Sequence, residues 1–148
     1  MADQRRSTEQ PAGMIRCVIV TPESTALDTL ARSATLPLFD GLRGVARGHT
    51  PFIGRLGAGE VRIVGEQGGP PDAVRRLFIE GGFVEVGHDV VTVITQRAIP
   101  GETLDLADAR AALERARTTA AAGDEALAAR HAATEAARAL VRTASRGR

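Results

Sequence analysis

A chain of 148 residues and 15.5 kDa has room for one ordinary domain with one appended element, and not for two enzymatic lobes. Its 43% hydrophobic content supports a core, which must be aliphatic because only 3% is aromatic: four Phe, no Trp and no Tyr. All nineteen cations are Arg, which excludes a Walker-type phosphate loop and every Schiff-base mechanism, and the eighteen acids leave a formal +1, far from the basic field of a general nucleic-acid binder.

Residues 1–13 are polar and aperiodic, and predict a disordered start. Arg5-Arg6 is not followed by an apolar segment, so a twin-arginine signal is not predicted, and no run approaches the ~18 apolar residues of a membrane span. From 14 to 100 short alternating runs, Gly, Pro, Val and Ile give the pattern of strands. Ile15, Cys17 and Ile19 alternate toward one apolar face. Cys17 on that face is expected to be a buried, inert thiol, and as the lone cysteine it excludes an internal disulfide.

Glu60 to Val64 repeats the alternation with its charges expected outward. Gly65 to Asp72, GEQGGPPD, reads as a turn or long hairpin loop. Val74 to Ile79 reads as another strand, broken or bulged at Gly81-Gly82. Phe83 to Val86, the turn Gly87-His88-Asp89 and Val90 to Thr95 predict a hairpin. This spacing favours an antiparallel sandwich or flattened barrel.

After Pro100-Gly101 the composition turns to Ala, Arg, Leu and Glu, so residues 101–148 predict an antiparallel helical hairpin. The first helix is expected over Asp105–Ala122, with Asp105 and Asp108 at the positive end of its dipole, and the second over Asp124–Thr143 after Gly123. Leu106, Ala109, Leu113, Ala116 and Ala120 form one stripe, and Ala126, Ala129, Ala133, Ala136 and Leu140 the other. Alanine buries little area at about 25 cal/mol per Å², so the hairpin should be weakly held.

No catalytic constellation stands out. His49 in ARGHTPF has no second His nearby for a metal and reads as a turn histidine bonded to backbone; Glu80 and Glu85 read as solvent-facing strand charges. The rival reading is a free-standing β-sandwich hydrolase or isomerase using His49 with Glu80 or Glu85, which requires a deep pocket around them. A third is an adaptor with an interaction hairpin. Arg138, Arg142, Arg146 and Arg148 have no acid among them, so the C-terminal end is locally basic, for dipole complementarity or for docking an acidic partner.

The stretch LPLFDGLRGVARGHTPFIGRLGAGEVRI, Leu36 to Ile63, resembles the signature of the epsilon subunit of F-type ATP synthases, G-E-L-G-I-x-P-G-H-x-P-L followed by P-G-x-x-x-I. FIEGGFVEVGHDVVTVITQRAI resembles the family's G-G-x-x-E-V-x-x-x-x-V-T-V-L segment. The resemblance implies an α+β chain: an N-terminal flattened antiparallel β-sandwich of about ten strands over 14–100, then the helical hairpin of 101–148. It implies a non-catalytic rotor subunit, peripheral on the cytoplasmic face of the cell membrane. Its sandwich would bind the gamma subunit and rest on the ring of c subunits. The hairpin would restrain ATP hydrolysis by meeting an acidic segment of the catalytic beta subunit, through Arg138 and Arg142.

The ring-facing loop maps to Leu42, Arg43, Gly44, Arg47 and His49. Leu42 and Arg43 replace the family's Glu and Leu, and Arg47 its Pro, so this loop is basic where it is often acidic, which implies a compensating charge on the ring. No cofactor is implied. Members that bind ATP carry I/L-D-x-x-R-A and a later Arg; Asp105 and Arg115 match, but Asp108 stands where the first Arg should be and repels a triphosphate.

Overall fold

The computed structural model describes residues 10–146, in eight strands and two α-helices. The strands are β1 (Ile15–Val20), β2 (Thr25–Ala31), β3 (Ser33–Leu38), β4 (Gly41–Ala46), β5 (Phe52–Val64), β6 (Val74–Gly87), β7 (Val90–Ile94) and β8 (Ala98–Pro100). A 3-10 turn, Gly101–Thr103, leads into α1 (Leu106–Thr118) and α2 (Asp124–Arg146). The sheet order is β2-β1-β7-β6-β5-β3-β4, with β8 beside β6.

The expected ten strands are carried by eight, because β5 and β6 run unbroken for 13 and 14 residues. β6 pairs with β8 through Leu77–Ile79 and with β7 through Phe83–Gly87, changing neighbours across Gly81-Gly82. One pair departs from the antiparallel expectation: β1 and β7 are parallel. They come from opposite ends of the strand region, so no tight turn dictates their relative direction.

Residues of β1 to β7 converge on one aliphatic core that includes Ile15, Ile19, Leu36, Val45, Ile63, Ile79, Val84 and Val93. The alternation of β1 is as expected, with Ile15, Cys17 and Ile19 buried and Arg16 turned outward onto Asp28, Nη2 to Oδ2 at 2.7 Å. Burial, with the nearby Glu66 charge, pushes the Cys17 thiol up to about 12. Native protein at pH 8 should therefore leave a thiol reagent unconsumed, and take up one equivalent when unfolded in denaturant; stoichiometric labelling of the native protein would refute this.

The β6–β7 hairpin closes through two residues with positive φ, His88 (51°) and Asp89 (59°), which is the primed turn that matches strand twist. The expected loop at 65–72 is closed by the Gly65 N–H donating to the Ala73 carbonyl at 2.9 Å. The disordered start expected over 1–13 falls outside the described residues as far as residue 9. Beyond it, Met14 N–H donates to the Pro11 carbonyl at 3.1 Å.

Asp105 caps α1, its Oδ1 accepting from Asp108 N–H at 3.0 Å. The helix ends at Thr118, short of Ala122, where Thr118 and Thr119 hydroxyls donate back to the Glu114 and Arg115 carbonyls. α2 continues past Thr143 to Arg146. Of the stripe foreseen on α1, Ala109 is buried and Leu106, Leu113 and Ala116 half-buried, whereas Ala120 lies beyond the helix and is exposed.

The α2 stripe needs correction. Ala126, Ala129 and Ala133 are exposed, Ala136 and Leu140 half-buried, and the buried residues are Ala137, Ala139, Thr143 and Ala144. α2 packs on α1 but also meets β5, β6 and the 3-10 turn. Its inward face is therefore set by two neighbours rather than one.

Candidate functional site

Two regions carry the candidate residues: the edge formed by β3, β4 and the start of β5, and the seam where α2 lies on β5 and β6. At the edge, Leu42, Arg43 and Gly44 sit on β4 and are exposed, and Arg47, Gly48 and His49 form the corner that follows. The structure places these residues on one strand and its corner but on different sides of it: Arg43 lines a cleft with Phe39 and Ile53, which are 71% and 78% exposed, Leu42 lines the groove toward α2, and Gly44, Arg47 and His49 line a third.

Arg43 lies over the Phe52 ring at 4.8 Å and Arg55 over the Phe39 ring at 4.9 Å. Each ring face attracts its guanidinium, so both cations are held at the surface beside bare apolar side chains. A cleft of about 320 Å³ lies between them, lined by Leu38, Phe39, Asp40, Arg43, Ile53, Gly54 and Arg55. Sequence reasoning named Arg43 but missed Arg55, Phe39 and Ile53. Strand register was the available signal, since Leu38 pairs with Leu56 and Phe39 N–H donates to the Arg55 carbonyl at 2.8 Å.

His49 is a turn histidine: its Nδ1 donates to the Thr50 carbonyl at 2.7 Å, and its ring packs on Phe52 at 5.3 Å. The cleft beside it, about 380 Å³, is lined by residues 33–35 and 44–49 and contains neither Glu80 nor Glu85. Glu80 pairs in the open with Arg97 Nη2 at 2.9 Å, and Glu85 is exposed on β6. Among the described residues, none of these clefts is lined by His49 together with Glu80 or Glu85, so nothing gathers the three residues that the hydrolase reading needs. Among the described residues no group of three or more His, Cys, Asp or Glu could hold a metal ion.

The seam corrects a second expectation. Glu60 was placed outward because it alternates with the buried Val61, yet its side chain is only 8% exposed. Glu60 is paired across the strands with Phe78, and Arg62 with Arg76. These four share the face opposite Val61 and Leu77, and α2 covers that face. Phe78 is fully buried there, outside the sandwich core.

Glu60 Oε1 accepts from Arg62 Nε at 2.8 Å and Arg76 Nη1 at 2.7 Å, while Oε2 is sealed from solvent with no partner among the described residues. Burial pushes this carboxyl up, but the hydrogen bonds of Arg62 and Arg76, the nearby Thr143 hydroxyl and the Arg76 charge together hold it below the ordinary glutamate range.

The remaining candidates are dispersed. Arg138 bonds to Glu135, so the basic end is partly neutralised in this conformation. Arg142 and Arg146 line a groove of about 580 Å³ with Glu60, Arg62 and Glu135. Arg148 lies outside the described residues. Asp105 is occupied as a cap, and Arg115 is about 15 Å further along the same helix at 1.5 Å per residue.

Residues 14–101 match the family model described as the beta-sandwich domain of the ATP synthase Delta/Epsilon chain. The chain is similar to the ATP synthase epsilon chain of Rhodopirellula baltica, 53% identical over 91 residues that span 62% of this chain and 67% of the relative. That of Desulfatibacillum aliphaticivorans is 38% identical over 106 residues, 72% of each chain. Among solved structures, a chain of the Euglena gracilis mitochondrial ATP synthase, in an OSCP/F1/c-ring assembly, aligns with a TM-score of 0.73 at 26% identity, covering 86% of this chain and 79% of the other. A chain from the central stalk and c-ring of the Tetrahymena thermophila mitochondrial enzyme shares the fold, with a TM-score of 0.61 at 12% identity over 87% of this chain and 95% of the other.

Proposed function

Because the chain belongs to the ATP synthase epsilon family, a non-catalytic subunit of the central stalk, we propose that it couples c-ring rotation to the catalytic hexamer and brakes ATP hydrolysis with a mobile helical hairpin. In this reading the sandwich binds gamma. The edge carrying Leu42, Arg43, Gly44, Arg47 and His49 rests on the c ring, and Arg138 and Arg142 on the released hairpin meet an acidic segment of the catalytic beta subunit. The chain is then peripheral, held at the cytoplasmic face of the cell membrane through the complex. No helix among the described residues is long and apolar enough to cross a membrane.

The observation that carries the brake is how the hairpin is attached. α1 packs chiefly on α2, and the segment meets the sandwich mainly through the last turns of α2 on β5 and β6, with the 3-10 turn against β6. The aliphatic core contains no hairpin residue. Lifting the hairpin therefore uncovers one patch and leaves the sandwich core intact. A small free-energy gap of this kind is what lets a partner's contact reverse two populations.

Assembled enzyme in which this chain ends after Pro100 should retain gamma binding and hydrolyse ATP about two- to tenfold faster, the range set by an inhibited population of one half to nine tenths. Unchanged hydrolysis with a normally assembled complex would remove the brake from the reading. ATP as an effector is not supported by the helix: Asp108 occupies the first turn of α1 beside the Asp105 cap, which places negative charge where a phosphate would sit.

A further inference from the structure

The β6–β7 turn carries strain that its sequence could have avoided. A two-residue turn with both φ values positive favours glycine at its second position, yet Asp89 stands there at φ 59°. A side chain kept in that conformation points to a task for the side chain. The Asp89 carboxylate reaches across to a corner 41 residues away, where Oδ1 accepts from the Gly48 N–H at 2.7 Å and Oδ2 lies 3.7 Å from Arg47 Nε. Its carbonyl accepts from the Arg16 N–H at 2.9 Å, so the turn is itself tied to β1.

What it grips is a corner without covalent stiffness. Gly48 turns at φ 82°, and Arg47 occupies the position where the family pattern has proline. His49 N–H donates to the Ala46 carbonyl at 3.2 Å, so fixing Gly48 fixes the step from β4 into His49. The Arg47 ion pair is exposed and weak alone; the short bond from a backbone N–H to a carboxylate is the stronger contact.

We propose that Asp89 is a positioning residue, clipping the 47–49 corner of the interaction edge to the β6–β7 turn and supplying by hydrogen bond the rigidity that a proline at position 47 would supply covalently. The proposal rests on the reading of segment 42–49 as the ring-facing edge. The clip requires both a carboxylate at position 89 and a Gly48 N–H aimed at it, and this chain has both.

The test uses Asp89→Gly, Asp89→Asn, and Asp89→Gly combined with Arg47→Pro. In the full-length protein, Asp89→Gly should keep or raise Tm by relieving the turn, yet make the Gly48 amide exchange roughly tenfold faster. Asp89→Asn, which retains an acceptor and tolerates the same φ, should restore most of the protection. In reconstituted holoenzyme, ion pumping per ATP hydrolysed should fall in Asp89→Gly and recover when Arg47→Pro is added.

Unchanged Gly48 exchange in Asp89→Gly would overturn the clip. Faster exchange with undiminished pumping would overturn its positioning role, provided Arg43→Glu lowers pumping in the same preparation. If Arg43→Glu and Asp89→Gly both leave pumping intact while Gly48 exchanges faster, the ring-facing reading fails, and with it the role proposed for the clip in docking.

Discussion

Replacing Gly82 with alanine should be the most damaging single-methyl change in the sandwich, costing on the order of 4 kcal/mol or more, a large part of the ~5–15 kcal/mol that holds an ordinary domain together. A Cβ there would sit 1.9 Å from the Ile94 carbonyl oxygen and 3.0 Å from Thr95 Cα. Both are backbone atoms, at the last residue of β7 and the one after it, so no side chain can swing aside. The backbone at φ 108° adds its own penalty, being a region that residues with a Cβ rarely adopt.

The neighbouring glycine supplies the control. At Gly81 the nearest contact of a new Cβ would be the Leu56 carbonyl oxygen at an ordinary 3.5 Å, with φ 68°. Alanine there should cost only the left-handed penalty of about 1–2 kcal/mol. Urea denaturation of the two variants measures the difference directly. Similar midpoints would show that the β6–β7 approach is looser than these distances require.

The second large effect is expected at Glu60. Glu60→Ala should lower stability by roughly 2 kcal/mol, because it leaves Arg62 and Arg76 side by side without an anion beneath α2. The figure is below that of a fully buried pair because the two cations keep 34% and 22% of their exposure. The pH dependence has a definite sign. The folded carboxyl titrates below its ordinary value of 4.5, so its contribution is complete above that pH and is lost as the pH falls through the folded value.

Denaturation at pH 7 and again below pH 4 should therefore show a steeper acid loss in the parent protein than in Glu60→Gln, whose amide does not titrate in this range. Equal acid losses in the two proteins would mean that the contacts of Arg62 and Arg76 do no more than offset the burial of the carboxylate, and the stabilising role assigned to Glu60 at neutral pH would fall.

These two positions also show where sequence reasoning was sufficient and where it stopped. The alternation of Ile15, Cys17 and Ile19, the hairpin turn at His88-Asp89 and the start of α1 at about Asp105 were all legible, because each is decided by residues within a few positions of one another. Glu60 and Phe78 were not. Alternation assigns a residue to a face of its strand, and it correctly opposed Glu60 to Val61; whether the outer face meets water or a helix is fixed by a segment more than seventy residues later.

The α2 stripe failed for a related reason. Alanines stand at 126, 128, 129, 132, 133, 136, 137, 139 and 144, so there is almost no contrast from which a period could select one face. The buried set is chosen by the partners, α1 on one side and β5 with β6 on the other. At the edge of β3, β4 and β5, sequence reasoning named residues 42–49 as the candidate loop but not the Phe39, Ile53 and Arg55 that register brings beside it.

If the hairpin lifts as proposed, the solitary ring of Phe78, buried on the face that α2 covers and apart from the rest of the greasy interior, would confine the switch to the assembled machine. A free copy that raised its arm would bare an oily spot to bulk water and promptly shut again. Only where neighbouring subunits shelter that spot, or hold the lifted arm by contacts of their own, can the raised posture last. On that reading, stray molecules awaiting assembly would stay closed.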